Sequence, residues 1–201
     1  MALIKLNNRG VKDATAFGSI SSLGSLTFIS KQTASSSATI SFTSGIDSTY
    51  KEYIFFFNNI HPATDGVYFQ FQADTGTNTS YNQTITSTFF RARLEEADAN
   101  ANLGYRTADD LAQSTSFQRL TAPVGNQNDE CCSGYLHIYN PSSSVFVKHF
   151  IARLNTYQNT DATNDQNVAG YFNTTTAITR FQFKMSSGNI DSGDIILFGL
   201  N

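Results

Sequence analysis

From Tyr53 to Ile60 the chain reads YIFFFNNI, and strand alternation divides it into two sets of side chains. Tyr53, Phe55 and Phe57 fall on one face, and Ile54, Phe56 and Ile60 on the other. Both faces are apolar. A strand on the surface of an antiparallel sheet shows one apolar and one polar face, so this one is expected to be central and covered on both sides. One cover is the core of the domain. The other must be a chain segment, a loop or a second subunit.

The same alternation recurs along the chain. It predicts strands over residues 25–32, 38–43 (Ala38, Ile40 and Phe42 against Thr and Ser), 67–73 and 83–94. In 67–73, Val67, Phe69, Phe71 and Ala73 point inward, and Tyr68, Gln70 and Gln72 outward. Residues 95–115 carry Asn100, Asn102 and Gly104, which interrupt any helical face, and read as an edge strand with loops. Residues 116–120 are a further candidate strand, and 123–133 a loop. Residues 134–139 and 145–154 flank Asn140-Pro141-Ser142-Ser143 and predict a hairpin. The polar run 155–167 reads as a long loop, followed by strands at 169–172, 177–186 and 195–200. Eight to ten short strands at regular spacing predict an all-β fold, an antiparallel jelly-roll-like β-sandwich over residues 25–201. The preceding residues 1–24 have neither period. They read as an extended N-terminal arm with apolar anchors Leu3, Ile4, Leu6, Val11 and Phe17, the groups to cover an apolar face on this subunit or the next.

Composition agrees with this outline and narrows the function. Of 201 residues 40% are hydrophobic, with 17 Phe, 9 Tyr and no Trp, enough for one sandwich core. Charged residues are 14% and the formal net charge is −3, which argues against nucleic acid or an anionic membrane as partner. The first residues lack the apolar run and cleavage site of a signal peptide, and no 18-residue apolar stretch occurs, so synthesis in a cytoplasm is expected. Sequons at Asn78, Asn82 and Asn173 carry little weight in that setting. Cys131 and Cys132 are adjacent, a spacing that fits neither a structural disulfide nor a zinc site.

Candidate chemistry is sparse. His61, His137 and His149 fall in a turn and two strands; the last two approach each other if the 134–154 hairpin forms, with no acidic or Cys partner at suitable spacing. Glu95-Glu96, Asp109-Asp110 and Asp191 with Asp194 are the acids from which a glycosidase pair would be drawn, but adjacent acids on a strand point to opposite faces. The Asp161–Asp165 and Asp191–Asp194 stretches have oxygens suited to calcium without EF-hand spacing, and turn chemistry accounts for them. No nucleophile elbow or phosphate loop is present, and neither a cofactor nor a metal is expected. Tyr68, Tyr135 and Tyr139 are candidates for stacking on sugars, or for cross-strand packing.

The opening MALIKLNNRGVKDAT, the central SGIDSTYKEYIFFFNNIHPAT, the hairpin YNPSSSVFVKHFIA and the ending SSGNIDSGDIILFGL together resemble small virion structural proteins of marine tailed bacteriophages, cyanophages in particular. That resemblance implies a non-enzymatic protein of the virion, made in the host cytoplasm, and no catalytic residue. With a short apolar arm and no fibre shaft, the expectation is a capsid decoration or cement protein. It would be a homo-oligomer, most simply a trimer, seated on other virion proteins such as the major capsid protein. Its assembly residues are expected to be Leu3, Ile4, Leu6, Val11 and Phe17 of the arm with Tyr53, Phe55 and Phe57 of the organising strand. The alternative is a tail or head appendage whose jelly roll binds host-surface glycans.

Overall fold

The computed structural model describes residues 26–76 and 78–200. The arm anchors Leu3, Ile4, Leu6, Val11 and Phe17 therefore lie outside the described residues. Twelve strands are present among those residues, with no helix. They are β1 (Thr27–Thr33), β2 (Ile40–Phe42), β3 (Glu52–Pro62), β4 (Phe69–Thr75), β5 (Ile85–Glu95), β6 (Ala101–Tyr105), β7 (Gln118–Arg119), β8 (Cys132–Tyr139), β9 (Lys148–Gln158), β10 (Ala162–Phe172), β11 (Ile178–Met185) and β12 (Ile190–Leu200). An eight-stranded sheet in the order β1-β12-β3-β8-β9-β10-β5-β6 packs on a four-stranded sheet in the order β2-β11-β4-β7, and every pairing is antiparallel. This is the jelly-roll-like sandwich that the alternation predicts.

The organising strand β3 is central, with β12 on one side and β8 on the other. Its Tyr53, Phe55 and Phe57 are buried and face the small sheet. Phe55 meets Phe42, Phe181 and Phe183 at centroid distances of 5.1, 5.2 and 5.0 Å, and Phe57 meets Phe69 and Phe183 at 5.1 and 5.4 Å. Further along, Phe71 of β4 meets Phe150 and Phe172 of β9 and β10 at 5.2 and 6.0 Å. Most of these rings meet edge to face, the arrangement favoured by the ring quadrupole. The expectation that Tyr53, Phe55 and Phe57 serve assembly is thus corrected: these side chains are the centre of the core and present nothing to a partner.

Ile60 also departs from simple alternation, since it is buried on the Phe57 side and not on the Ile54 side. Asn58 and Asn59 interrupt the pairing between Phe57↔Gly134 and Ile60↔Cys132, and Asn59 has φ 50°. One bulge reverses which residues face inward, and brings Ile60 and Pro62 into the interior.

The largest departure concerns residues 155–167. They are not a loop: β9 and β10 form a long hairpin, joined at Asn159–Asp161, in which the inward residues near the turn are polar. Thr156, Asn164 and Gln166 are fully buried. With its amide nitrogen turned to the Leu154 carbonyl at 2.6 Å and its oxygen accepting from the Ala122 N–H at 3.2 Å, Gln166 joins the hairpin to the loop that covers it. Asn164 donates to Gln158 Oε1 at 3.0 Å. Gln72, expected outward, is likewise buried, its amide donating to the carbonyls of Gln83, Thr115 and Ser116 at 3.0 to 3.2 Å. Paired in this way, the buried amides of Gln72 and Gln166 avoid the penalty of lost hydration.

Candidate interaction surface

The small sheet covers only the inner face of the large one. Register places the outer residues of the large sheet in rows across the strands. One row runs Phe28, Phe198, Ile54, His137, Ile151, Ala169 and Thr88. The next runs Lys31, Ile196, Phe56, Tyr135, Arg153, Asn167, Phe90 and Tyr105. Phe198 joins Phe28 and Phe56 at 5.9 and 5.6 Å, so the apolar surface is continuous over β1, β12 and β3. Phe28, on the edge strand β1, is 59% exposed, and Ile151 is 45% exposed although it sits over the middle of the sheet on β9. The second cover that strand β3 called for is therefore absent among the described residues.

Two parts of this face stand out. The first is a groove of about 440 Å3, lined mainly by Thr86, Thr88, Tyr139, His149, Ile151 and Tyr171. His137 stacks on Tyr139 at 4.1 Å beside it, and His137 Nε2 lies 2.7 Å from a Glu52 carboxylate oxygen without hydrogen-bond alignment. His149 packs against the Tyr171 ring at 6.0 Å. His137 and His149 share this face but pair with Ile151 and Tyr171 respectively, not with each other. The second part is the β5–β6 edge, where Phe90, Leu94, Leu103 and Tyr105 are all exposed, Leu103 at 76%. Beyond β5, strand β6 is the edge of the sheet, so one side of its backbone is unpaired by any described strand.

Apart from the neighbours Glu95 and Glu96, the acid pairs singled out in the sequence lie apart from one another, and most of these acids have a local partner. Glu95 accepts hydrogen bonds from Asn100 at 2.8 Å and Arg93 at 2.7 Å, which hold its carboxyl below the usual carboxylate range. Glu96 lies beyond the end of β5, in the turn, and for that reason lines the same shallow hollow as Glu95, with Asp98 and Tyr157. Asp109 is buried against Arg119 at 2.7 Å and Arg106 at 3.4 Å, while Asp110 accepts from the Tyr105 hydroxyl at 2.5 Å. Asp194 accepts from Thr33 and Lys31, which lower its pKa, and Asp191 lies 3.6 Å from His61 Nδ1. Asp161, at φ 49°, makes the β9–β10 turn, and Asp165 takes a two-pronged contact from Arg153 at 2.9 and 2.8 Å. No group of three or more His, Cys, Asp or Glu among the described residues is placed to hold a metal ion.

The remaining candidates fall into structural roles. Cys132 is buried and Cys131 partly buried; both are free, and burial pushes both thiols up, away from the reactive thiolate. The Arg119 guanidinium lies 3.9 Å over the Tyr68 ring, so that stacking face is already taken. Tyr135 and Tyr139 remain on the outer face of the large sheet. Of the described residues, none forms a helix long and apolar enough to cross a membrane. Comparison with protein families, with curated proteins and with solved structures finds no match for this chain.

Proposed function

We propose that the chain is a non-enzymatic structural protein of a phage virion, a capsid decoration or cement protein that assembles through its own sandwich surface and is tethered by its N-terminal arm. The observation that carries the assembly role is the β5–β6 edge, with Phe90, Leu94, Leu103 and Tyr105 exposed on and beside an edge strand whose outer side pairs with no described strand. An edge with large apolar side chains invites pairing with another chain, and monomeric proteins guard against it with charge, proline or short strands. The resemblance of the opening, centre and ending to phage structural proteins directs this surface to a virion. There a closed threefold homo-oligomer lets one patch serve every subunit and matches attachment points on an icosahedral shell. The arm residues Leu3, Ile4, Leu6, Val11 and Phe17 supply the tether to the major capsid protein.

A second reading, an appendage that binds host-surface glycans, draws on the groove between Tyr139, His149 and Tyr171. Its lining is mostly apolar, which suits an apolar side chain better than a sugar.

Immunogold labelling of purified virions tests the two together. Label distributed over the head is expected. Label at the tail or on head fibres, joined to loss of host adsorption in Tyr139→Ala virions, replaces the decoration role by the glycan one. Virions free of the protein overturn both.

A further inference from the structure

We propose that Arg91 and Arg106, on either side of the gap left by Gly104 on the inner face of the β5–β6 pair, form a binding site for a tetrahedral oxyanion of the sulfate or phosphate class. The site stands apart from the assembly edge, whose Phe90, Leu94, Leu103 and Tyr105 project from the opposite face of the same two strands.

Register brings the groups together. Arg91 pairs with Gly104 and Phe90 with Tyr105, and the Arg106 N–H donates to the Phe89 carbonyl at 2.8 Å. Arg91 and Arg106 are therefore diagonal neighbours on one face, about 7 to 8 Å apart and within reach of one another through side chains of this length. Gly104 adds no side chain between them, and a Cβ built there would meet no atom within 4 Å. The small sheet does not extend over this place. Along β5 the inward Ile85, Ser87 and Phe89 are buried, whereas Arg91, Arg93 and Glu95 are only partly so. The hollow beside Arg91 is thus open to a small ion from solvent.

Charge around the hollow is out of balance. Asp109 is buried and serves two guanidiniums, Arg119 at 2.7 Å and Arg106 at 3.4 Å. Arg93 is matched by Glu95 at 2.7 Å. No ion pair or hydrogen bond holds Arg91 among the described residues, and its Nε is buried without an acceptor, a loss that native folds rarely carry. Burial, and after it the charges of Arg106 and Arg93, hold the Arg91 pKa below its ordinary value against the opposing pull of Asp109 and Tyr68. Arg91, Arg106 and Arg119 with the single carboxylate of Asp109 leave two positive charges over, in a chain whose formal net charge is −3. The excess is local, and not the overflow of a basic protein. A doubly charged oxyanion balances it, and with several oxygens it accepts from both arginines at once and offers Arg91 the acceptor it lacks.

Equilibrium dialysis of the full chain against radiolabelled sulfate, and separately phosphate, at low ionic strength tests the site. Saturable binding is expected. It should weaken about tenfold or more in Arg91→Gln, the loss of one charge-assisted pair, and stay unchanged in Arg153→Gln, whose guanidinium lies on the outer face against Asp165. Gly104→Glu sets a carboxylate opposite Arg91 in the open space. It is expected to abolish ion binding while raising the melting temperature, a gain that a misfolded variant cannot show. A sulfated oligosaccharide and its desulfated counterpart separate the sources of the group. Tighter binding of the sulfated form than of free sulfate assigns an ester carried on a glycan, equal or weaker binding assigns the free ion, and both uphold the site. Absence of saturable binding, or binding equal in Arg91→Gln and the unsubstituted chain, overturns the proposal. A melting temperature lowered by Gly104→Glu also overturns it, since the hollow would then reject a negative group.

Discussion

Lys148 is the residue where local pattern and environment disagree most. It begins β9 with its side chain directed inward, fully buried, and its ammonium donates to the carbonyls of Phe146 at 2.9 Å and Thr174 at 3.2 Å with no carboxylate partner among the described residues. Desolvation lowers its pKa from the ordinary 10.5. The folded state thus holds the charged form at a penalty that is fully present below the folded pKa. That penalty is relieved as pH rises from the folded pKa to the unfolded value, so this group makes the protein more stable as pH climbs toward 10.5. Lys148→Met removes that contribution. Its urea midpoint, followed from neutral pH upward, is expected to gain less, or lose more, with rising pH than the midpoint of the unsubstituted chain. At neutral pH the variant is expected to be destabilised by about 1 to 3 kcal/mol, because two buried carbonyls lose their donor. Parallel pH profiles for the two proteins would show that the amine titrates normally in the fold. Residue patterns did identify part of the aromatic core: Phe69 and Phe71 are expected inside, and both are buried. They did not identify Lys148, Gln72 or Gln166, because a polar side chain is buried by the partners that satisfy it, and those partners are distant in sequence.

At the scale of elements, alternation located strands wherever the inward positions are apolar and failed where they are not. The hairpin of residues 134–154 was legible from its Asn-Pro turn, and β6 from its place within residues 95–115. The second half of β9 and the first half of β10 were not, since Thr156, Asn164 and Gln166 occupy the inward positions and the whole stretch reads as polar. The bulge of β3 was equally hidden, because the two asparagines look like a continuation of the strand. That bulge depends on its neighbour β12, where Gly193 has φ 117° and a Cβ placed there would lie 2.5 Å from the Asn59 carbonyl oxygen. Gly193→Ala therefore meets both an unfavourable backbone conformation and a rigid backbone obstacle. A loss of about 1 to 3 kcal/mol is expected on chemical denaturation. The obstacle is backbone on a paired strand, so local relaxation would have to move β3 itself. An unchanged denaturation midpoint would mean that β12 bends away freely, and that the register between the two strands is not set by this pair.

At the scale of the whole molecule, the two sheets are unequal, and that inequality governs what the surface can do. The four-stranded sheet and the loops beside it close the interior, while the outer face of the eight-stranded sheet has no cover among the described residues. Leu103→Glu places a charge on the edge strand at the most exposed apolar position, pointing away from the core. Within a monomer such a change lies within about 0.5 kcal/mol of neutral. In an oligomer that pairs along β6 it buries an unpaired charge, and association is expected to weaken by at least tenfold, or about 1.4 kcal/mol. Sedimentation of the unsubstituted chain over a range of concentrations should give a species heavier than the 22.1 kDa subunit, and Leu103→Glu should return it toward that mass. The melting temperature supplies a second reading, because stability linked to association rises with concentration only while the interface is intact. A subunit that sediments as a monomer with or without Leu103→Glu would remove the edge from the assembly and leave any attachment to the virion to the arm alone.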